Sequence, residues 1–444
     1  MPLTRWHCEH AWTGGANAAA DVLIECEGDR IRTVTEGVPA PPDARRLDGL
    51  VLPGFANTHS HCFHRALRGR TQRGRSSFWD WRQAMYALAE RLQPRSYHAL
   101  ARAVFAEMAL AGVTCVGEFH YLHHSEDGRP YADPNLLGQA VIAAAGAAGI
   151  RISLLDTCYL AAGPGQPLEG VQRRFGDGDA QAWGARVDAL AGSPTARIGA
   201  AIHSVRAVPA DQLGQVAAWA AERHAPLHLH LSEQRAENMA CQQANGCSPT
   251  ALVARHGVLG DRTTAVHATH LDAADIGLLG STRTTVCMCP TTERDLADGI
   301  GPARSLASAG APMTLGSDSN SVVDPLEEAR ALELDERLRS EERGNWSAAE
   351  LLRAATTAGH AALGWADAGT LAPGSLADLV AVDLGGTRLA GAEGDVLNAV
   401  VFAGTAADIR DVIVGGRVVV QGRRHLGVED VPAALRESIR AVLG

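Results

Sequence analysis

From residue 51 to about residue 320 the apolar positions follow one repeated rhythm. A short apolar and β-branched run is followed by a longer stretch with apolar positions at helical spacing. The strand-like runs lie at about 51–59, 113–120, 150–159, 196–205, 226–233, 263–270, 284–290 and 311–319. Helical patterns between them include Ser96 to Ala111, Pro134 to Ala148, Pro209 to Arg223 and Asp272 to Leu279. Pro209 sits where a first helical turn favours proline, because its missing N–H would have no partner there. Eight strands alternating with helices predict an α/β fold, a closed parallel (β/α)8 barrel of TIM type. Two further helices are predicted over Asp324 to Ser340 and Ser347 to Ala362, the second opened by Ser347 and Glu350 in capping-box spacing.

The two ends read differently. Asp21 to Cys26 and Arg30 to Val34 are strand-like, with the turn Glu27-Gly28-Asp29 between them. Beyond Gly369 the chain returns to β patterns: Ala377 to Val382, then a hairpin over Val412 to Val420 with Gly415-Gly416 at its tip. The expectation is a small β-sandwich domain built from both termini, in the segments 1–50 and 367–444, beside a catalytic barrel over 51–366.

Composition narrows the partners. A chain of 444 residues with 46% hydrophobic content can bury a large core. A net charge of −10 argues against nucleic acid or an anionic membrane as the main partner and says little about substrate. All forty basic residues are arginine, so a Schiff-base lysine, a P-loop lysine and a carboxylated bridging lysine are excluded. The stretch Met1 to His7 has no apolar signal core, and the apolar run Val141 to Ile150 is too short to span a bilayer. Nine cysteines without framework spacing fit a reduced, cytoplasmic setting, with Cys287 and Cys289 read as buried thiols.

The chemistry gathers at the predicted strand ends, where a barrel of this kind carries its active site. His59 and His61 alternate with Ser60 and so share one strand face. His230 lies late on the fifth strand with Glu233 just past it, His267 lies on the sixth, and Asp318 closes the eighth. Three imidazoles and one carboxylate, His59, His61, His230 and Asp318, suit one divalent metal with a position left for water. Such a metal would bring the pKa of that water toward neutrality, with Asp318 able to take its proton. Glu233 is placed to carry a proton to a leaving nitrogen, and His267 to polarise substrate or stabilise charge. The absence of lysine favours one metal over two, with Glu118 as the one alternative bridging ligand. His123 and His124 read as solvated loop residues, His228 as structural, and His270 stays ambiguous.

These pieces together resemble the amidohydrolase superfamily: Pro53-Gly54 before His59-x-His61, His230-Leu231-Ser232-Glu233, His267, Ser317-Asp318, and the late Gly369 to Val380 segment. The His-x-x-Glu pattern followed by a histidine on the next strand is similar to its deaminase branch. Narrower stretches resemble the formimidoylglutamate deiminase (N-formimino-L-glutamate iminohydrolase) family. They are Phe63 to Gly69, Ser77 to Tyr86, Glu118 to His124, Gln172 to Phe175, His203 to Val208, and Cys289 to Glu293 with Asp298-Gly299.

The resemblance implies hydrolysis of N-formimidoyl-L-glutamate to N-formyl-L-glutamate and ammonia, a step in histidine degradation. It implies Zn2+ on His59, His61, His230 and Asp318, with Glu233 and His267 catalytic and a homodimeric assembly. It also implies that Arg82, Tyr121, His203 and Arg206 contact substrate, in keeping with the fork by which arginine holds a carboxylate. The chain departs from the pattern at His64, where some members carry Gln, and at Arg294-Asp295, on the active-site side. Because the metal core is shared across the branch, another amidine, a purine or a pterin is the alternative substrate. A catalytically silent barrel acting as a binding module is the alternative from a different class.

Overall fold

The computed structural model describes residues 3–72, 77–392 and 394–444. Four strands come first: β1 (Leu3–Ala11), β2 (Ala19–Glu27), β3 (Arg30–Thr35) and β4 (Arg45–Pro53). Eight barrel strands follow: β5 (Phe55–Ser60), β6 (Val113–His120), β7 (Arg151–Cys158), β8 (Ala196–Ile202), β9 (Leu227–Leu231), β10 (Thr263–His267), β11 (Thr285–Met288) and β12 (Met313–Leu315). The chain ends with β13 (Leu379–Val382), β14 (Ile409–Val414), β15 (Arg417–Gln421) and β16 (Arg424–His425).

Strands β5 to β12 pair in sequence order, every pair parallel. Most of their residues are buried, as expected for a parallel sheet covered by helices. The last strand returns to the first, closing the barrel at its C-terminal rim. Ser60 and Asp318 form a parallel bridge. Asp318 N–H donates to the His59 carbonyl at 2.9 Å, and His61 N–H to the Asp318 carbonyl at 3.0 Å. Gly316 permits this approach, because a Cβ there would sit 2.8 Å from the His59 carbonyl oxygen. The seam between first and last strands is therefore knit by the same residues that carry the candidate chemistry.

The terminal strands form one continuous eight-stranded sheet, in the order β16-β15-β14-β13-β4-β1-β2-β3, where the sequence suggested a β-sandwich. It is antiparallel except for the β1–β4 pair. One face gathers Trp6, Val22, Ile24, Val51, Leu379 and Ile413 into a small core of its own. The other face sends Leu50, Leu52, Val380, Val382 and Val412 into the main core. Both faces are thus covered without a second sheet. Val51 and Leu52 pair with β13 across this sheet, so the first barrel strand starts at Phe55 and not at 51. An apolar run buried on both sides carries no period that says to which sheet it belongs. At the β14–β15 turn Gly415 and Gly416 take φ of 56° and 72°, the left-handed pair that a two-residue hairpin requires.

The later terminal segment also holds two helices, Val396–Ala403 and Val431–Leu443. The second is capped by Asp430, which accepts from the Ala433 amide, and packs against the helix Pro94–Leu110. Asp430 followed by Pro432 was a start signal available in the sequence.

A buried ion pair fastens the sheet to the barrel. Arg151 of β7 bonds Asp378, whose other oxygen accepts from the Gly415 amide at 2.7 Å. Both side chains are almost fully buried. Arg151→Met would strand a carboxylate in the core and is expected to cost about 3–5 kcal/mol. Thermal or denaturant unfolding checks this, and a change under 1 kcal/mol would remove the pair as a fastening, that figure being about the worth of an exposed pair.

Candidate active site

The strand ends deliver the site. His59 is the penultimate residue of β5, and His61 lies just past it, before the short helical turn Cys62–Leu67 that carries His64. His230 sits on β9, with Glu233 beyond its end, and His267 is the last residue of β10. Ser232, His267, Ala268 and Asp318 take positive φ values of 51°, 69°, 49° and 42°. Four non-glycine residues in this costly region at one rim mark a backbone shaped for function.

The donor atoms converge. His230 Nε2 lies 3.2 Å from His59 Nε2 and 3.3 Å from His61 Nε2. Asp318 Oδ1 lies 3.3 Å from His59 Nε2 and 3.4 Å from His61 Nε2. Two outer contacts orient the rings: His61 Nδ1 donates to the Phe119 carbonyl at 3.0 Å, and His230 Nδ1 to the His203 carbonyl at 2.8 Å. With Nδ1 protonated, the Nε2 lone pairs of His61 and His230 face each other. Burial holds His59 below the usual imidazole pKa and His61 and His230 well below it. Burial works the other way on Asp318, yet His59, then His267 and His61, keep its carboxyl below the usual range. Neutral imidazoles with opposed lone pairs beside an ionised carboxylate call for a cation between them. Tetrahedral ligands at about 2.0–2.1 Å from Zn2+ stand about 3.3–3.4 Å apart, which matches the spacing here.

His267 and Glu233 sit beside this cluster. His267 Nε2 is 3.8 Å from Asp318 Oδ2 and 3.9 Å from Glu233 Oε1, and its Nδ1 is 3.2 Å from Glu293 Oε1. Burial would lower the His267 pKa, but Glu233 and Glu293 raise it well above the usual value. Burial raises the Glu233 pKa, with His267 and Arg206 opposing. Glu293 also accepts the Cys289 amide at 2.8 Å, which fixes it as a support for His267. No sequence rule singled it out, since its meaning depends on two strand ends meeting. Glu118 is occupied elsewhere: one oxygen accepts the Cys62 amide at 2.7 Å, and burial pushes its pKa up to about 8.

A cavity of about 350 Å³ opens over the cluster. His61, His64, Tyr121, His203, His230, Glu233, His267 and Asp318 reach it, as do Arg82 and Arg206. His64 Nε2 and the Tyr121 hydroxyl lie 2.8 Å apart. Arg82, from the helix Phe78–Arg91, stacks 4.4 Å over Trp79 and 5.5 Å from Tyr86. Arg206, just after β8, lies 3.6 Å from Glu233 and 5.8 Å from the Phe78 ring. The Nε atoms of both arginines are buried without a hydrogen-bond partner among the described residues. Burial, then Arg206 and Arg82, hold His203 well below its usual pKa, as two guanidinium groups nearby should.

Two sequence expectations change. His123 and His124 are buried, not solvated: His123 Nε2 donates to the Thr157 carbonyl at 3.0 Å, and His124 lies 3.2 Å from Asp177. Arg186 clamps Asp156 and Asp177 beneath them at 2.7 and 2.8 Å. Arg294 turns outward to Glu327 and Asp335 at 3.2 and 3.4 Å, and Asp295 accepts from Gln72 at 2.9 Å, so neither lines the cavity. In segment 160–180 Ala162, Gly163 and Pro164 line the cavity, while buried Arg174 ties it to the Leu92 and His124 carbonyls at 2.7 and 3.0 Å. His228 bonds the Ala362 carbonyl at 3.2 Å. All nine cysteines are unpaired and buried. Among the described residues no helix is long and apolar enough to cross a membrane.

Comparison with known proteins gives a consistent picture. The profile described as "Amidohydrolase family" matches residues 50–419. A formimidoylglutamate deiminase of Pseudomonas aeruginosa is 38% identical over 429 residues, covering 93% of each chain. The crystal structure of an amidohydrolase from Brucella melitensis superposes with a TM-score of 0.92 at 33% identity, covering 99% of this chain and 100% of that one. A zinc-bound adenosine deaminase from Xanthomonas campestris gives 0.84 at 24% identity, covering 99% and 97%, a likeness of fold.

Proposed function

The chain belongs to the amidohydrolase family, and on that premise we propose that it hydrolyses N-formimidoyl-L-glutamate to N-formyl-L-glutamate and ammonia, acting in histidine degradation. One observation carries the substrate reading. Two half-buried arginines, Arg82 and Arg206, each with a buried Nε that makes no hydrogen bond among the described residues, open into the same cavity as the histidine–aspartate cluster. A guanidinium fork recognises a carboxylate, and the glutamate portion offers two. A purine offers no carboxylate to either guanidinium, and Arg82 would then face the cavity with no anion paired to it among the described residues.

His59, His61, His230 and Asp318 would hold one divalent ion, with Zn2+ the best match to three nitrogens and one oxygen. When bound, that ion supplies an acidified water and stabilises developing negative charge. Asp318 accepts a proton of the attacking water as its oxygen bonds to the formimidoyl carbon. Glu233 delivers a proton to the imino nitrogen, which becomes an amine. His267, held by Glu293, hydrogen-bonds the oxygen at the tetrahedral carbon. As the carbon–nitrogen bond breaks, that nitrogen takes the proton Asp318 removed from the water, the hydroxyl proton returns to Glu233, ammonia leaves, and the formyl C=O remains. Arg82 and Arg206 hold the two carboxylates, with Tyr121, His203 and His64 completing the wall.

The test is ammonia release by the zinc-loaded protein from N-formimidoyl-L-glutamate, beside N-formimidoyl-L-aspartate, guanine and adenosine. Chelator-sensitive release from the glutamate compound alone is expected. Turnover of a base and not of this amidine would discard the substrate. Arg82→Met is expected to raise KM by about tenfold or more while changing kcat much less, the mark of lost ground-state binding. An unchanged KM would remove Arg82 from the site.

A further inference from the structure

Arg206 is held at the cavity wall in an unusual way. Its guanidinium lies between two carboxylates, with NH2 3.6 Å from Glu233 Oε2 and Nε 3.7 Å from Glu237 Oε2. Glu237 stands in the first turn of the helix Arg235–Asn245 and also lines the cavity. Its side chain is 0% exposed, and neither carboxylate oxygen meets a hydrogen-bond partner at normal geometry among the described residues. A buried carboxylate in that condition is costly unless a cation faces it. Arg206 is the cation that faces it, and the dependence is mutual. Burial is the largest influence and works against the Arg206 charge, and Glu237, then Glu233, Tyr159 and Tyr86, together outweigh it.

We infer that Glu237 is a positioning residue for substrate binding: it backs the Nε edge of Arg206 and leaves the guanidinium's other donors turned toward a substrate carboxylate. The inference rests on the dicarboxylate reading above. Glu233 alone could neutralise Arg206, but then the carboxyl proposed to carry the proton would be engaged as a counter-ion. A second carboxylate separates the two tasks. Glu237 holds the cation, and Glu233 stays available beside His267. The substrate carboxylate then meets a fork already oriented and already desolvated, which lowers the ordering cost of binding.

The arrangement predicts a reversal of sign that packing would not produce. With Arg206 present, Glu237→Met removes its support. With Arg206 absent, Glu237 is a bare buried anion next to the incoming carboxylate, and removing it should help. The experiment is a double-mutant cycle on the metal-loaded protein with Arg206→Met and Glu237→Met, reading the Kd of N-formyl-L-glutamate by calorimetry and KM and kcat for N-formimidoyl-L-glutamate. Glu237→Met alone should weaken binding and raise KM by about tenfold, with kcat changed by less than about threefold. In the Arg206→Met background the same change should leave binding unchanged or tighten it. Glu237→Gln keeps the volume and one acceptor and should fall between wild type and Glu237→Met; it also serves if the Met variant does not fold.

Equal weakening by Glu237→Met in both backgrounds would overturn the inference in favour of packing, as would a wild-type affinity in the single variant. A wild-type protein that binds N-formyl-L-glutamate with this pattern yet releases no ammonia from the formimidoyl compound would retire the reaction and keep the Arg206–Glu237 couple. A wild-type protein that does not bind the probe would overturn the couple.

Discussion

Glu233→Gln is expected to keep its fold and its metal and to lose kcat by about a thousandfold, within the range that a positioned acid contributes. The amide has the shape of the carboxyl but no acidic proton to deliver. Glu233 is not among the residues whose donor atoms cluster with His59, His230 and Asp318, so the donor cluster should survive the change. Its surroundings strengthen its hold on a proton. It is buried, burial raises its pKa, and Asp318 and Glu293 add to that rise, while His267 and Arg206 pull it back. A carboxyl balanced between these influences can both gain and give a proton in one turnover. Because Arg206 lies 3.6 Å from Glu233, some change in KM should accompany the loss of kcat. The measurements are steady-state ammonia release and metal content per chain. A variant that keeps kcat within tenfold at full metal occupancy would place the proton carrier elsewhere, since that is below what general acid catalysis usually contributes.

Much of this site was legible because barrel chemistry is read at strand ends. Each of His59, His61, His230, His267 and Asp318 follows an apolar run, and the period of two puts His59 and His61 on one face. The eight strands could be counted for the same reason. What stayed hidden depends on partners that sequence order does not join. His123 and His124 look like loop residues until Asp156, Asp177 and Arg186 are brought beneath them from later segments. Glu237 is one helical turn past Glu233 and looks like a surface acid of an exposed helix until Arg206 arrives from the preceding strand end. Val51 and Leu52 are apolar in either sheet, so only β13, more than three hundred residues later, decides where they pair. Arg294 and Asp295 point outward because Glu327, Asp335 and Gln72 draw them there.

Removing the metal is expected to have two separable effects, loss of turnover and loss of stability. The ligand atoms come from β5, its following residue, β9 and the segment just past β12. Strands β5 and β12 are the two that must meet to close the barrel, and β12 has only three residues. Among the described residues that seam is held by the Asp318 and His61 amides to facing carbonyls, by the Ser317 amide to Asn57 Oδ1 at 2.9 Å and Asn57 Nδ2 to the Ser317 hydroxyl at 2.7 Å, and by Asn320 reaching the Ser60 hydroxyl and His61 carbonyl at 3.2 and 3.0 Å. An ion bound by His59, His61 and Asp318 therefore ties the seam from inside. Without it, neutral imidazole nitrogens at 3.2–3.3 Å repel one another. Metal at a hundred times its Kd would add about 2.7 kcal/mol by mass action alone. Chelated protein should release no ammonia above background and melt several degrees lower, and added zinc should restore both. Asp318→Asn should reproduce both losses, because the amide is a poorer ligand and cannot take the water proton. Full activity after verified metal loss would sink the metal site. Lost activity with an unmoved melting point would keep the ion in catalysis but leave the seam to its hydrogen bonds and to the packing of Gly316 against His59.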